Sequence, residues 1–339
     1  MKKIFGHLYE EITSAENLLC AWEEFVKNKK KRSDVRVFGQ NLMGEILALH
    51  QNLTNYTYKH SSYEEFRISD PKPRIIHKAK VGDRLMHHAV YRVLYPLFEQ
   101  TFIFDSYSCR KNKGTHKAFK RLVQLSQKES KNYTEVCWAL KCDIKNFFHS
   151  IDHEILIELL SRRIKDDRLM DLLEEIIESF EYAPKQGMPL GNLTSQLFAN
   201  VYLDPLDKFV KHKLKANYYI RYADDFLILS QNPSELLGYF IEINNFLKST
   251  LKLFLHPDKI VLRKFGWGID FVGYVALPYY SLPRKSTIKR IFRILSQKTI
   301  EEAEGVDASL QSYLGYLKHV NAYKLSGTLK ENITIRRDK

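Results

Sequence analysis

Cysteine is scarce. The 339 residues hold four (Cys20, Cys109, Cys137, Cys142), and none pairs with another at metal-ligand spacing. That argues against a zinc module and a disulfide framework, and fits a reducing cytoplasm. No run of about 18 apolar residues occurs, so no transmembrane helix is expected. The start, Met1 to Glu11, has basic residues but no sustained apolar core, and is not expected to act as a signal peptide. There is no internal repeat and no low-complexity segment. Acid is also in deficit: 40 Asp and Glu face 53 Lys and Arg, a formal net charge of +13. Such an excess favours a polyanionic partner, nucleic acid or acidic membrane, against the plainer reading of a merely basic soluble protein.

What is present is a folding composition. Hydrophobic residues make up 44% and charged residues 27%, enough for a large core, and the length allows two or three domains at about 150 residues each. Residues 7–28 and 34–52 carry apolar residues at helical spacing, with Ser14 placed to cap a turn. The run Lys27 to Arg32 between them is either a solvated loop or a phosphate contact. Pro71 and Pro73 oppose helix, so residues 55–80 read as strand and loop. A helix is expected after Asp83-Arg84, then a basic loop from Ser106 to Lys117 and a further helix.

Three stretches carry chemistry. Val136 to Ile144 reads as a buried strand ending in Asp143, a carboxylate that could simply cap a helix or could serve a metal. Residues 153–180 are helical, and Lys185 to Gln196 is a loop with two glycines and a proline leading into a helix from Leu193. Small residues there let backbone approach a ligand; an ordinary loop-to-helix junction would look the same. Then Tyr222-Ala223-Asp224-Asp225 sits between the apolar strands 217–221 and 226–230, as at a hairpin tip. Two adjacent carboxylates repel unless a cation lies near, and Mg²⁺ is the natural oxygen-ligand candidate; an Asp-rich turn is the bland alternative. A helix over 236–251, a turn and strand over 253–262, and a short β pattern at Phe271-Val272-Gly273-Tyr274 follow. Pro278 and Pro283 mark an expected boundary before a basic helical tail over 286–325.

Asp143, the glycine loop and Tyr-Ala-Asp-Asp stand in the order of polymerase motifs A, B and C, and Phe271 to Tyr274 resembles the primer grip that follows. From about residue 40 onward the chain resembles reverse transcriptases. Within that family, Pro189-Leu190-Gly191-Asn192-Leu193-Thr194-Ser195-Gln196 departs from the Pro-Gln-Gly and Ser-Pro of group II intron enzymes. It is similar to the reverse transcriptases of diversity-generating retroelements, as are Asp105 to His116 and Lys72-Pro73-Arg74. The Asn-Ala-X-X-His and Val-Thr-Gly of retron enzymes are not found. No maturase, DNA-binding, HNH or RNase H extension is expected.

The resemblance implies an α+β right hand: an N-terminal helical extension over 1–54, fingers and palm with an antiparallel palm sheet over 55–277, and a helical thumb over 278–339. It implies RNA-directed DNA synthesis with two Mg²⁺ ions, Mn²⁺ substituting, held by Asp143, Asp224, Asp225 and the carbonyl of Ile144, Asp225 supporting or ligating. Lys259 resembles the lysine that protonates pyrophosphate, though a surface lysine fits the loose pattern nearly as well. Arg74 and Lys78, with Arg84 as a third, could clamp the triphosphate. Phe148 is implied as the gate under the sugar 2′ position, or else a core Phe. Leu190 and Gly191 face the nucleotide, and Ser195, Gln196, Phe271, Gly273 and Tyr274 the template and primer. Leu190 lacks the hydrogen bonds of a Gln, which implies error-prone copying at template adenines. The implied partners are a template-repeat RNA, the RNA/cDNA duplex, deoxynucleotides and a small basic accessory variability determinant. The implied place is the cytoplasm, for a bacterial or phage-encoded protein. Two alternatives stay open: a retron or antiphage-defence reverse transcriptase, and a retired polymerase fold serving as an RNA-binding scaffold.

Overall fold

Apolar spacing and capping decide most elements. In the computed structural model, which describes residues 4–69, 73–297 and 303–329, the chain divides into two compact units. The first takes residues up to 104, 144–215 and 242–256; the second takes 105–143, 216–241 and the rest. Pro71, Lys72 and the last residues of the expected thumb lie outside the described residues. No described helix is long and apolar enough to cross a membrane.

The first unit is mainly helical. Where one helix was expected over 7–28, there are two, Tyr9–Thr13 and Ala15–Val26. Ser14 leaves helical geometry between them, and its side chain accepts a hydrogen bond from the Asn17 amide, a standard N-cap. Ser33–Gln40 and Leu42–Thr54 follow. The face carrying Leu18, Ala21 and Phe25 is buried, as are Leu85, Met86 and Ala89 of the helix Val81–Glu99 that packs on it. Each Leu, Met and Phe among them contributes about 1.5–3 kcal/mol on leaving water. A two-stranded antiparallel hairpin, β1 (Glu64–Ile68) and β2 (Arg74–Lys78), precedes that helix. His153–Ser161 and Asp167–Glu178 are each opened by an aspartate cap, Asp152 and Asp166. Leu193–Lys208 is buried almost all round, which explains its lack of a polar face.

The second unit is built on a four-stranded antiparallel sheet. Its strands are β3 (Trp138–Asp143), β4 (Tyr218–Tyr222), β5 (Asp225–Ser230) and β6 (Val261–Lys264), in the order β4-β5-β3-β6. Buried residues of the helix Thr115–Glu129, among them Leu122 and Leu125, share a core with Ala139, Ile220, Leu227 and Leu229. A three-stranded sheet follows: β7 (Ile269–Phe271), β8 (Tyr274–Ala276) and β9 (Ser281–Pro283). Pro283, one of the two prolines at the expected boundary, pairs with Tyr274. β9 is an edge strand, where a missing N–H leaves no ladder bond unmade. Helices Lys285–Gln297 and Ala303–Leu317 close the unit over Ile291, Leu295, Leu310, Leu314 and Leu317.

Candidate active site

β4 and β5 are joined by a two-residue turn. Tyr222 pairs with Asp225, leaving Ala223 and Asp224 at the tip. Ala223 adopts φ +54°, a conformation that tight hairpins demand and usually fill with Gly or Asn. Arg221 holds it there. Its guanidinium is only 1% exposed, and Nη1 donates to the Ala223 carbonyl at 3.1 Å. The Arg221 backbone is fixed on both sides, its N–H to the Asp105 carbonyl and its carbonyl to the Tyr107 N–H, each at 2.9 Å. Sequence reading passed over Arg221 as part of an apolar flank; a charged residue in the middle of a buried strand was the signal.

The register of the sheet brings the two acidic stretches together. Asp143, the last residue of β3, is the cross-strand partner of Asp225, the first of β5. Directly opposed residues have Cβ atoms about 5 Å apart, where like charges destabilise. Each acid has a lysine. Lys141 Nζ lies 3.1 Å from Asp225 Oδ2 and also donates to the Asp270 carbonyl at 2.9 Å. Lys259 Nζ donates to Asp143 Oδ1 at 2.7 Å. Burial nevertheless pushes the Asp225 carboxyl up to about 7; Lys141 opposes that shift, and Asp143 and Asp224 reinforce it. Asp225 Oδ1 is buried without a hydrogen-bond partner among the described residues. Lys141 was also missed. It stands two residues before Asp143, on the same face of the strand, which period-two alternation could have shown.

This donor set suits a hard divalent cation. The oxygens are carboxylate, one is buried and unbonded, and a single lysine leaves Asp225 under-compensated. Among the described residues no three His, Cys, Asp or Glu side chains converge to enclose a metal by themselves. Mg²⁺ does not need such a cage: it is commonly held by one or two carboxylates together with substrate phosphates.

Gly273 and its neighbours form a second hairpin in this unit. Phe271 pairs with Tyr274 across a turn whose central residues, Val272 and Gly273, have φ +45° and +94°. A β-branched residue at positive φ is a genuine outlier. The Gly273 carbonyl accepts from the Tyr316 hydroxyl and, at 3.1 Å, from the Arg284 N–H. Phe271 and Tyr274 are buried, Tyr274 stacking on Tyr316 at 4.5 Å, so the backbone of the turn rather than these rings is what faces outward.

The other sequence candidates lie in the first unit. The Leu190 carbonyl accepts from the His77 N–H of β2 at 3.2 Å, and Gly191, at φ +122°, sits so close that a Cβ would meet Ile76 at 3.1 Å. The glycine loop and the strand bearing Arg74 and Lys78 are thus bonded together. Arg74 is exposed, with no ion pair among the described residues. Lys78 is drawn to Asp34 at 2.8 Å and Glu64 at 3.3 Å, and Arg84 to Asp34 at 2.6 Å. These pairs hold the Asp34 carboxyl down to about 2. Phe148 is half-buried in a short 3₁₀ turn, packed edge-on against Phe147, and its carbonyl accepts from the Met188 N–H at 2.7 Å. Ser195 is buried inside its helix and Gln196 is half-buried. Ile144 forms an isolated antiparallel bridge with Leu255.

The model of the family described as reverse transcriptase (RNA-dependent DNA polymerase) matches residues 66–277. The putative COX1/OXI3 intron 2 protein of Saccharomyces cerevisiae is 25% identical over 256 residues, 57% of this chain and 29% of that protein. Protein YkfC of Escherichia coli is 26% identical over 284 residues, 73% of this chain and 72% of YkfC. The group II intron-encoded protein LtrA of Lactococcus lactis is 24% identical over 363 aligned residues, 85% of this chain and 59% of LtrA. The chain therefore spans well under two thirds of the yeast and Lactococcus proteins. In fold it is similar to apo telomerase from Candida tropicalis, with a TM-score of 0.52 and 13% identity over 80% of this chain and 60% of that one.

Proposed function

The chain belongs to the reverse transcriptase family, and from that premise we propose that it copies RNA into DNA with deoxynucleotide substrates. The observation that carries this is the pairing of Asp143 with Asp225, with Asp224 at the adjoining turn and charge left uncompensated. When bound, two Mg²⁺ ions (or Mn²⁺) would lie on Asp143, Asp224 and the Ile144 carbonyl, neutralising the transferring phosphate and activating the primer hydroxyl. Asp225, tied to Lys141, supports this centre rather than leading it. Lys259, whose Nζ donates to Asp143, is assigned as the proton source for departing pyrophosphate. Arg74, exposed on β2, is assigned to the triphosphate, Phe148 to the sugar gate, Leu190 and Gly191 to the base pair. The Gly273 turn, with Gln196, is assigned to template and primer.

The finer reading is that of a diversity-generating retroelement: error-prone copying of a template-repeat RNA, with a small basic accessory protein, in the cytoplasm, for a bacterial or phage-encoded protein. Leu190 in the position of a hydrogen-bonding Gln supports it. The three-part organisation into an extension (1–54), fingers and palm (55–277) and thumb (278–339) belongs to the same reading.

Primer extension on an RNA template tests the activity. The wild type should extend a DNA primer with deoxynucleotides and Mg²⁺, and Asp224→Ala should be inert. If both are equally inert with RNA and accessory protein supplied, the chain is a scaffold on a retired polymerase fold.

A further inference from the structure

The end of the sheet away from the carboxylates holds a surface to which no role has been assigned above. β3 runs from Trp138 to Asp143, so at about 3.3 Å per residue its first residue lies roughly 17 Å from the acidic end. Trp267 stands there 63% exposed, edge-on to Trp138 at 6.4 Å. Lys264 Nζ lies over both indoles, 5.5 Å from Trp138 and 5.9 Å from Trp267. Large aromatic side chains exposed together mark an interaction site more often than a lone one does. Beside them is a cavity of about 270 Å³, walled by Tyr133, Val136, Lys264, Phe265, Trp267 and Pro278. Tyr279, 79% exposed, sits edge-on to Tyr133 at 5.0 Å.

Next to this cavity in the chain runs a polar groove of about 530 Å³, lined by Arg121, Gln124, Gln127, Lys128, Lys131 and Asn132. Three consecutive residues between the two, Lys131, Asn132 and Tyr133, have φ of +47°, +59° and +66°. Non-glycine residues rarely adopt this conformation, and strain of this kind concentrates at functional positions. The strained loop sets Tyr133 against the cavity and Lys131 and Asn132 in the groove. The local acids are each engaged: Asp105 accepts from Arg121 at 2.8 and 3.0 Å, Glu135, which also lines the cavity, pairs with Lys131 at 2.6 Å in an exposed contact, and Glu129 accepts from the Gln231 N–H. An exposed pair of that sort is weak enough for a phosphate to replace the carboxylate.

Cations and amides along a groove, followed by stackable rings and a cavity of base size, are the pattern of single-strand binding. We infer that this face is an anchor for single-stranded RNA, one base stacking on Trp267 and the adjoining phosphates lying along Lys128 and Lys131. The choice of RNA rests on the polymerase reading, in which the template arrives as a long single strand; the stacking and phosphate contacts do not. The anchor would hold a part of the RNA that is not being copied.

Fluorescence anisotropy of the full chain with a short unstructured RNA oligonucleotide tests it. Trp267→Ala should weaken binding about ten-fold, in line with loss of one base–aromatic stack, and Trp267→Phe should restore most of it. RNA should quench tryptophan emission in the wild type and much less in Trp267→Phe. Primer extension on a template too short to reach the anchor should be unchanged in Trp267→Ala. Weaker RNA binding in Trp267→Ala alongside a wild type that extends no primer would uphold the anchor and remove the polymerase reading. RNA affinity equal in wild type, Trp267→Ala and Lys128→Glu would overturn the proposal, as would a Trp267→Ala defect confined to a protein partner.

Discussion

At the scale of single residues the site depends on charges that the chain brings from a distance. Asp225 is two-sided: burial and two acidic neighbours push its carboxyl up, and Lys141 pulls it down. Replacing Lys141 by Met should therefore destabilise the fold by about 2–3 kcal/mol, because it strands a partly buried acid beside two others. Asp225→Asn/Lys141→Met should recover most of that stability, since the stranded charge is gone, yet remain inactive in primer extension. Urea unfolding of the single and double variants measures the coupling; additive effects would deny the pair its role. At Leu190 the expected change is chemical rather than energetic. A Gln there gains a donor and an acceptor toward the base pair, so Leu190→Gln should raise fidelity. Sequencing of cDNA from both enzymes checks this, and an unchanged error rate at template adenines would remove Leu190 from the explanation. Asp143, Asp224 and Asp225 were legible from the sequence because strand, turn and strand announce themselves locally. Lys141 was within reach by alternation. The Asp34 partner of Lys78 was not, because 44 residues separate them and no local pattern encodes the pairing.

Elements were read well where their periodicity was their own. The Asp224 hairpin and the buried helix from Leu193 appear where apolar runs place them. β9 itself was not legible, because its three residues of pairing depend on β8, which no local pattern encodes. Loop-to-strand bonding was equally invisible: nothing in Pro189-Leu190-Gly191 says that it rests on β2. That contact makes a test of the element as a whole. Gly191→Ala places a Cβ at 3.1 Å from Ile76 with φ at +122°, so strain and contact act together. The variant should lose about 1–3 kcal/mol of stability and loosen the Leu190–His77 bond that joins loop to strand. Thermal unfolding and hydrogen exchange at His77 would register this; an unaltered midpoint with full protection would mean the loop stands without β2.

For the molecule as a whole, acid stability should be set by histidines buried without charge. His87 is fully buried, with Nδ1 2.7 Å from the Thr194 hydroxyl and Nε2 3.1 Å from His60 Nε2. Burial, reinforced by His60 and His88, drives its pKa down to about 3, and burial with Lys29 and Arg84 drives that of His88 down to about 4. Above the unfolded value of about 6.5 both rings are neutral in either state and cost nothing. Below it the unfolded chain takes up protons that the folded chain refuses, so stability falls as pH drops from about 6.5 toward 3 for His87 and toward 4 for His88. Each ring adds a slope of up to about 1.4 kcal/mol per pH unit inside its window. His87→Gln keeps a polar group in the place of the ring but cannot titrate, so its unfolding free energy should fall less steeply between pH 6 and 4 by about one proton's worth. Urea unfolding across that range decides the matter. An unchanged slope would remove His87 from the explanation, and the Asp34 cluster could not take its place, because a pKa of about 2 confines its own loss of stability to the range below about 4.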